Sequence, residues 1–103
     1  MRSRFSAYAL ELADYLIETT HVENPSYQND HSRWRAEILA FSKSTHFEGL
    51  EIVEFIDGEH EAFVTFFARL SQSGQDVSLV EKSRFLKVGD RWIYHSGEVH
   101  IPS

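Results

Sequence analysis

The chain has 103 residues, a length typical of one domain, which excludes two independent hydrophobic cores within residues 1–103. With 42% hydrophobic and 14% aromatic residues it can build an efficient core, so intrinsic disorder is not expected. The formal net charge of -6 disfavours unselective binding to nucleic acid or anionic membranes, and the lack of cysteine excludes disulfides, thiolate zinc sites and cysteine nucleophiles.

The first predicted helix begins near Phe5. Two β-branched residues, Thr19 and Thr20, precede a polar stretch that contains Pro25, so we expect the helix to end there and a loop to follow. Apolar residues along this helix recur every three or four positions and therefore share one face: Phe5, Tyr8, Ala9, Leu12, Ala13, Tyr15 and Leu16.

A second, shorter helix is predicted after this loop. Asp30 or Ser32 offers a side-chain acceptor for the unpaired amide groups at its start, and the helix ends near Ser44. Its buried face is marked by residues at helical spacing, namely Trp34, Ile38 and Phe41.

After His46 the apolar period changes to two, and turn signals divide the remaining chain into strands. The strongest signal is Asp57-Gly58, because Asp-Gly suits the two positive φ angles of a type I′ turn; Ser73-Gly74 and Gly89-Asp90 are the others. Short turns make consecutive strands neighbours in an antiparallel meander, which gives an α+β fold. Four strands are predicted, at residues 48–56, 61–71, 76–88 and 91–97.

Alternation along the strands predicts which residues face the helices. In the third strand Lys82 and Arg84 share the face that is hard to bury, which places Glu81 on the inner face. In the fourth strand Trp92 and Tyr94 form the inner row. The second strand has the most apolar inner row, consisting of Ala62, Val64, Phe66, Ala68 and Leu70.

Several motifs occur in a fixed order: Met1-Arg2-Ser3-Arg4-Phe5-Ser6-Ala7-Tyr8, Asp14-Tyr15-Leu16, Thr20-His21, Glu81-Lys82-Ser83-Arg84-Phe85, and Trp92-Ile93-Tyr94 with Gly97. In this order and at these separations they resemble the central domain of the YchJ family of uncharacterised bacterial proteins. The resemblance covers nearly the whole chain. It implies a nuclear-transport-factor-2-like (cystatin-like) fold, in which N-terminal helices pack on a curved four-stranded antiparallel meander.

The chain departs from this family in two places. Family members usually carry flanking cysteine-rich SEC-C type segments that look like zinc sites, whereas this chain has no cysteine. Where the family tends to have Trp-His-Pro, this chain has Thr20-His21-Val22, so only His21 transfers. We expect no metal and no cofactor, because the other histidines show no spacing that favours metal ligation: His46, His60, His95 and His100.

Glu81 is the most informative single residue, because an ionised carboxylate on an inner strand face needs a partner or a raised pKa. A structural network tying helices to sheet predicts that Glu81→Gln costs about 1 to 3 kcal/mol. The alternative is a ligand-binding or acid–base carboxylate. Arginines available for pairing are Arg2, Arg4, Arg33 and Arg35, and Tyr8, Tyr15 or Ser83 can complete the hydrogen bonds.

Aromatic residues can either line a small pocket in such a fold or fill its core. The residues predicted to line the pocket are Tyr8, Tyr15, Trp34, Glu81, Ser83, Phe85, Trp92 and Tyr94. We expect a non-catalytic module that binds a small ligand or a protein.

Two other functions remain open. One is a small enzyme that resembles isomerases or dehydratases of this fold, with His21 or Glu81 as proton acceptor and Tyr15 or Tyr94 as donor to an oxyanion. The other is nucleic-acid binding through a contiguous arginine surface, which the acidic composition makes the weakest candidate. No apolar run approaches the roughly 20 residues of a membrane span, and the N-terminus is too polar for a signal peptide, so we expect no membrane association and a cytoplasmic location.

The outer face of the sheet is a candidate for association between two copies of the chain. Phe63 and Phe67 lie four residues apart in one strand and therefore share that face, with Ile93 on the same side. An apolar centre with a basic rim is typical of an interface. Alternatively, the rings lie flat against long neighbouring side chains.

Overall fold

The computed structural model describes residues 2–100, apart from the side chain of Arg2. Three helices, α1 (Arg2–Ala9), α2 (Ala13–Glu18) and α3 (His31–Ser44), precede five strands. The strands are β1 (His46–Ile56), β2 (Glu61–Gln72), β3 (Gln75–Asp76), β4 (Leu79–Val88) and β5 (Arg91–His100). They form one antiparallel sheet in the order β1-β2-β4-β5, and the short β3 pairs with the end of β2. The predicted α+β class and the meander are confirmed.

The single first helix predicted from the sequence is wrong, because the chain reverses direction between α1 and α2. Glu11 adopts a positive φ of 59°, its N–H donates to the Tyr8 carbonyl at 3.2 Å, and the N–H of Leu12 donates to the Ala7 carbonyl at 2.8 Å. These two bonds form the Schellman motif that ends many helices. Apolar spacing did not reveal the break, since Ala7 before it and Leu16 after it join the same buried cluster.

The second predicted helix is confirmed. The side chain of Asp30 accepts a hydrogen bond from the backbone N–H of Arg33 at 3.1 Å, which is the expected cap. Trp34 and Ile38 are buried. Phe41, predicted on the buried face, is 40% exposed.

One turn and one strand of the prediction need correction. The two successive positive φ angles expected at Asp57-Gly58 are absent there and occur instead at Ser73 (51°) and Gly74 (79°). Gly58 has no positive φ and lies in a four-residue loop, 57–60. A glycine is still required there, because a Cβ atom on Gly58 would lie 2.3 Å from the Glu61 carbonyl oxygen. The predicted third strand is divided into β3 and β4. The N–H of Leu70 donates to the Ser78 hydroxyl at 3.0 Å, while the Leu70 carbonyl accepts from the Val77 N–H at 3.0 Å and from the Ser78 hydroxyl at 3.3 Å.

The helices cover the inner face of the sheet. The inner row predicted for β2, from Ala62 to Leu70, is buried throughout. Register shifts mark β-bulges in β1 and, at His95, in β5, and such bulges bend strands and so curve the sheet. The chain after α2 runs along β5, with the N–H of Tyr94 donating to Thr19 at 2.7 Å and the N–H of His21 donating to Tyr94 at 2.8 Å. None of the described helices combines the length and apolar character that crossing a membrane requires.

Candidate functional site

A cavity of about 190 Å³ lies between the helices and the inner face of the sheet. Most of its walls are apolar, and four polar side chains reach it: Arg4, Tyr8, Glu81 and Tyr94. The apolar lining consists of Phe5, Phe41, Phe47, Phe66, Ala68, Leu70 and Leu79. An apolar pocket with a few convergent polar groups is the usual form of a small-molecule site. We refer to it below as the cone cavity.

Glu81 extends from β4 into the cone cavity, as the alternation predicted. The hydroxyl of Ser83, which is fully buried, and that of Tyr94, at 3.1 Å, both donate hydrogen bonds to Glu81 Oε2. The predicted help from Ser83 is therefore present, and Tyr94 takes the place expected for Tyr8 or Tyr15. Among the described side chains Glu81 forms no ion pair with an arginine. Its Oε1 atom accepts no hydrogen bond from these side chains.

Gly97 makes this arrangement possible. It lies opposite Ser83 in the β4–β5 register, and a Cβ atom on it would lie 2.6 Å from both Glu81 Oε2 and the Tyr94 hydroxyl. A side chain at this position would have to displace the carboxylate. The glycine that ends the Trp-Ile-Tyr motif in the sequence thus provides space for the polar end of the cavity.

Arg4 is buried beside this group, held by α2 rather than by Glu81. It donates to the Leu16 carbonyl at 3.3 Å, to Thr19 Oγ1 at 2.7 Å and to Thr20 Oγ1 at 3.4 Å. Its guanidinium carbon lies 4.6 Å from the centroid of the Tyr94 ring, a cation–π geometry. Burial lowers the pKa of Arg4, an effect that nearby Tyr8, Tyr94 and Glu81 oppose.

The cone cavity raises the pKa of two tyrosine hydroxyls and so favours their neutral forms. Burial raises the pKa of Tyr94 well above its ordinary value, and the charge of Glu81 and the hydrogen bond to it raise the pKa further. Burial also raises the pKa of Tyr8, although Arg4 lowers it in part. Both phenols therefore act as neutral hydrogen-bonding groups at ordinary pH.

The residues predicted to line one pocket are divided by the fold. Tyr8, Glu81 and Tyr94 line the cone cavity, and Ser83 lies behind it. A second cavity of about 260 Å³, which shares Arg4, is lined by Tyr15, Phe85 and Trp92. Trp34 lies in neither cavity, because it is buried among the helices with Ile17 and Ile38.

His21 lies outside both cavities. It sits beside β5 with Glu23 and His95, with 5.2 Å between the two imidazole centroids. Glu23 and His95 were missed as candidates because local spacing carries no signal for a contact between residues so far apart in the sequence. The predicted enzyme site that combined His21 with Tyr15 or Tyr94 is therefore not assembled, whereas Glu81 and Tyr94 do meet.

The arginines considered for a nucleic-acid surface differ in exposure. Arg4 is buried, whereas Arg33 and Arg35 are exposed, with Arg33 pairing with Glu37 at 3.3 Å and Arg35 with Asp14 at 2.6 Å. Arg4 therefore does not belong to such a surface, and the side chain of Arg2 lies outside the described residues.

Phe63, Phe67 and Ile93 are half-buried on the outer face of the sheet, opposite Arg84, Val80 and Leu86 of β4 respectively. The Lys82 ammonium lies 5.2 Å from the centroid of the Phe63 ring, so a long neighbouring side chain covers part of this face. Association through it stays a prediction.

Known proteins resemble this chain in sequence and in fold. Residues 1–97 match the family model described as the YchJ middle NTF2-like domain. A SEC-C motif containing protein from Rhodopseudomonas palustris is 31% identical, with a TM-score of 0.78 over 95% of this chain and 73% of that chain.

Two other solved structures share the fold at low identity. An NTF-2 like protein of unknown function from Shewanella oneidensis is 14% identical, with a TM-score of 0.66 over 95% of this chain and 90% of that one. A DUF4783 family protein from Bacteroides uniformis is 10% identical, with a TM-score of 0.65 over 96% and 94%. Since the family match spans nearly all of the sequence and the order of motifs predicted it, the chain belongs to the YchJ family, as its middle NTF2-like domain.

Proposed function

We propose that this domain binds a small, mostly apolar molecule in the cone cavity, and that Glu81 anchors it. The observation that carries the proposal is the Oε1 atom of Glu81, which accepts no hydrogen bond from the described side chains and lies in a mostly apolar cavity. This oxygen keeps some exposure to solvent, so water can reach it when no ligand is bound. A ligand donor that replaces solvent there gains a charge-assisted hydrogen bond inside a mostly apolar site.

The cavity volume limits the size of the ligand. An engineered apolar cavity of about 150 Å³ is known to hold a benzene ring. At about 190 Å³ the cone cavity holds one ring with a short substituent. Phe41, at 40% exposure, is the most exposed of the lining residues and marks the side from which a ligand enters.

The charges in the cavity favour a neutral ligand with one hydrogen-bond donor. Arg4 and Glu81 are both present and their charges compensate. Nη1 and Nη2 of Arg4 already donate to Leu16, Thr19 and Thr20, and Glu81 repels an anionic ligand, so a neutral ligand fits the cavity better than an anion. A hydroxyl or amide N–H directed at Oε1 fits this arrangement.

A titration with three ring compounds of similar size tests the proposal. Binding of benzyl alcohol, toluene and benzoate is followed by amide chemical shifts in NMR. Benzyl alcohol is expected to bind about tenfold more tightly than toluene, the scale of one hydrogen bond to a charged acceptor. Benzoate should bind most weakly. In Glu81→Gln the advantage of the alcohol over toluene should shrink.

A pair of matched variants tests where the compounds bind. Leu79→Trp places a larger side chain in the cone cavity, whereas Leu86→Trp adds the same side chain to the outer face of the same strand. The first should abolish binding of all three compounds and the second should leave it unchanged. Equal binding by both variants, or no preference for the alcohol over toluene in the unmodified chain, would contradict the proposal.

A further inference from the structure

Outside the cone cavity, the described part of the chain brings His21, Glu23 and His95 together at the edge of the sheet, with their nitrogen and oxygen ligand atoms all within 4.8 Å of one another. Both imidazoles are mostly buried, at 21% and 18% exposure of their side chains, while that of Glu23 is 70% exposed. The sequence prediction of no metal rested on local histidine spacing. Local spacing does not decide the question, because the fold brings together two histidines from distant parts of the chain.

Two distances in the group are close to those of a tetrahedral metal site. Glu23 Oε1 lies 3.4 Å from His95 Nε2 and 3.8 Å from His21 Nδ1. Ligand atoms bonded to zinc at about 2.0 to 2.2 Å lie roughly 3.3 to 3.6 Å apart at the tetrahedral angle, so the first distance falls in this range and the second is slightly longer. All three ligand atoms lie within 4.8 Å of one another, so small rotations of the Glu23 side chain and of the imidazoles would bring them around one ion.

The protein also orients the two imidazoles. His21 Nδ1 accepts a hydrogen bond from the backbone N–H of Glu23 at 3.0 Å, so this nitrogen is unprotonated, as a metal ligand must be, and a bound ion would replace that bond. His95 Nδ1 lies 2.9 Å from the Ser96 hydroxyl. In the tautomer that donates from Nδ1 to this hydroxyl, Nε2 carries a lone pair that can bind a metal, a supporting contact common around metal-bound histidine. In the other tautomer Nε2 donates to Glu23 Oε1, at 3.4 Å, and metal binding replaces that contact.

The backbone around the group is fixed in the same way. The N–H of His21 donates to the Tyr94 carbonyl at 2.8 Å, and Asn24 Nδ2 donates to the His95 carbonyl at 2.8 Å. These bonds hold the loop after α2 against β5 and keep both histidines in register. The backbone of the site is thus in place before an ion arrives, whereas the Glu23 side chain must turn and His21 Nδ1 must exchange its hydrogen bond with the Glu23 N–H for the metal.

We infer that His21, Glu23 and His95 bind a divalent zinc ion. Two imidazoles and one carboxylate are a donor set that zinc accepts, and three protein ligands leave one position for water or an added ligand. The site is separate from the cone cavity, so its presence or absence does not depend on the ligand proposed there. Zinc bound here joins the loop after α2 to β5 and stabilises the folded chain.

Metal titration of the untagged chain tests this inference. Zinc is expected to bind with a stoichiometry of one and to raise the thermal unfolding midpoint. Cobalt, used as a spectroscopic substitute, should give the visible absorption of a tetrahedral site. Glu23→Ala and His95→Gln should each weaken zinc binding by at least about tenfold, because each removes one of three ligands.

His60→Gln serves as the matched control. His60 is an exposed histidine in the loop between β1 and β2, outside the group. Its variant should bind zinc as the unmodified chain does. Glu23 is exposed, so Glu23→Ala is expected to keep the fold, which amide NMR spectra check. The inference is overturned if the unmodified chain shows no zinc binding or if a folded Glu23→Ala binds zinc with unchanged affinity. It is also overturned if His60→Gln loses zinc binding, because the ion would then be bound by His60.

Discussion

Tyr94 and His95 are neighbours in β5, yet they belong to two different polar clusters. Tyr94 points into the cone cavity with Arg4 and Glu81, whereas His95 lies at the edge of the sheet with Glu23. In the cavity, burial shifts pKa values and most polar atoms are bonded within the protein. At the edge, an exposed carboxylate faces two imidazoles. The difference shows that neighbouring residues of one strand can belong to a buried polar cluster and to a partly exposed one.

The largest expected effect comes from removing Arg4. Arg4→Met leaves the acceptors on Leu16 and Thr19 without their buried donor and removes the contact with the Tyr94 ring. We expect the free energy of unfolding to fall by about 2 to 4 kcal/mol, measured by urea denaturation. Arg33→Met, which removes an exposed pair with Glu37, should change it by less than about 0.5 kcal/mol. Equal effects of the two variants would break the comparison.

Alkaline pH should also act on the interior cluster. The folded chain raises the pKa of Tyr8 and of Tyr94, so the unfolded chain loses these protons first as the pH increases. Stability from this source is complete below the unfolded pKa, near pH 10, and is lost above it. Each tyrosine contributes a slope of about 1.4 kcal/mol per pH unit. Urea denaturation between pH 9 and 11 should give a shallower decline for Tyr94→Phe; identical slopes would exclude Tyr94 as a source.

Glu81→Gln should cost about 1 kcal/mol, the low end of the range expected from the sequence. The structure shows no arginine pair to break among the described side chains, and a glutamine oxygen still accepts from Ser83 and Tyr94 as a neutral group. The control is Glu98→Gln on the exposed face of β5, for which thermal and urea unfolding should stay unchanged. A stabilised Glu81→Gln would instead mean that the carboxylate is strained in the absence of ligand.

The smallest effect is expected at Glu11, in the junction between α1 and α2. Glu11 has a positive φ of 59°, which glycine adopts without steric cost, so Glu11→Gly should stabilise the chain by about 0.5 to 1 kcal/mol. Glu18→Gly, at the exposed last residue of α2, should destabilise it by up to a similar amount. Thermal unfolding of both variants compares the signs, and a destabilised Glu11→Gly would show that the Glu11 side chain itself supports the junction.

Sequence reasoning succeeded where the signal was local. The cap at Asp30, the inner row of β2 and the inward position of Glu81 follow from spacing or alternation, and all are present. The break at Glu11 was missed because buried residues keep their helical spacing across it. The type I′ turn predicted at Asp57-Gly58 is absent, because the connection is a four-residue loop and loop length, rather than glycine alone, decides the turn type.

Contacts between distant residues were beyond the reach of spacing. Arg4 was one of four arginines considered as a partner for Glu81, but it donates instead to the hydroxyls of Thr19 and Thr20. His21 was recognised only by resemblance, and its neighbours Glu23 and His95 meet it because the loop after α2 pairs with β5. Such contacts depend on how elements pack, which a one-dimensional pattern does not encode.

The most direct test of ligand binding in the cone cavity is a set of intermolecular NOEs between benzyl alcohol and the isotope-labelled chain. The account predicts NOEs from the ring protons to Phe66 and Leu79 and from the methylene protons to Tyr94, all on the cavity wall. NOEs to Phe63 and Phe67 on the outer face, with none to Phe66 or Leu79, would contradict it.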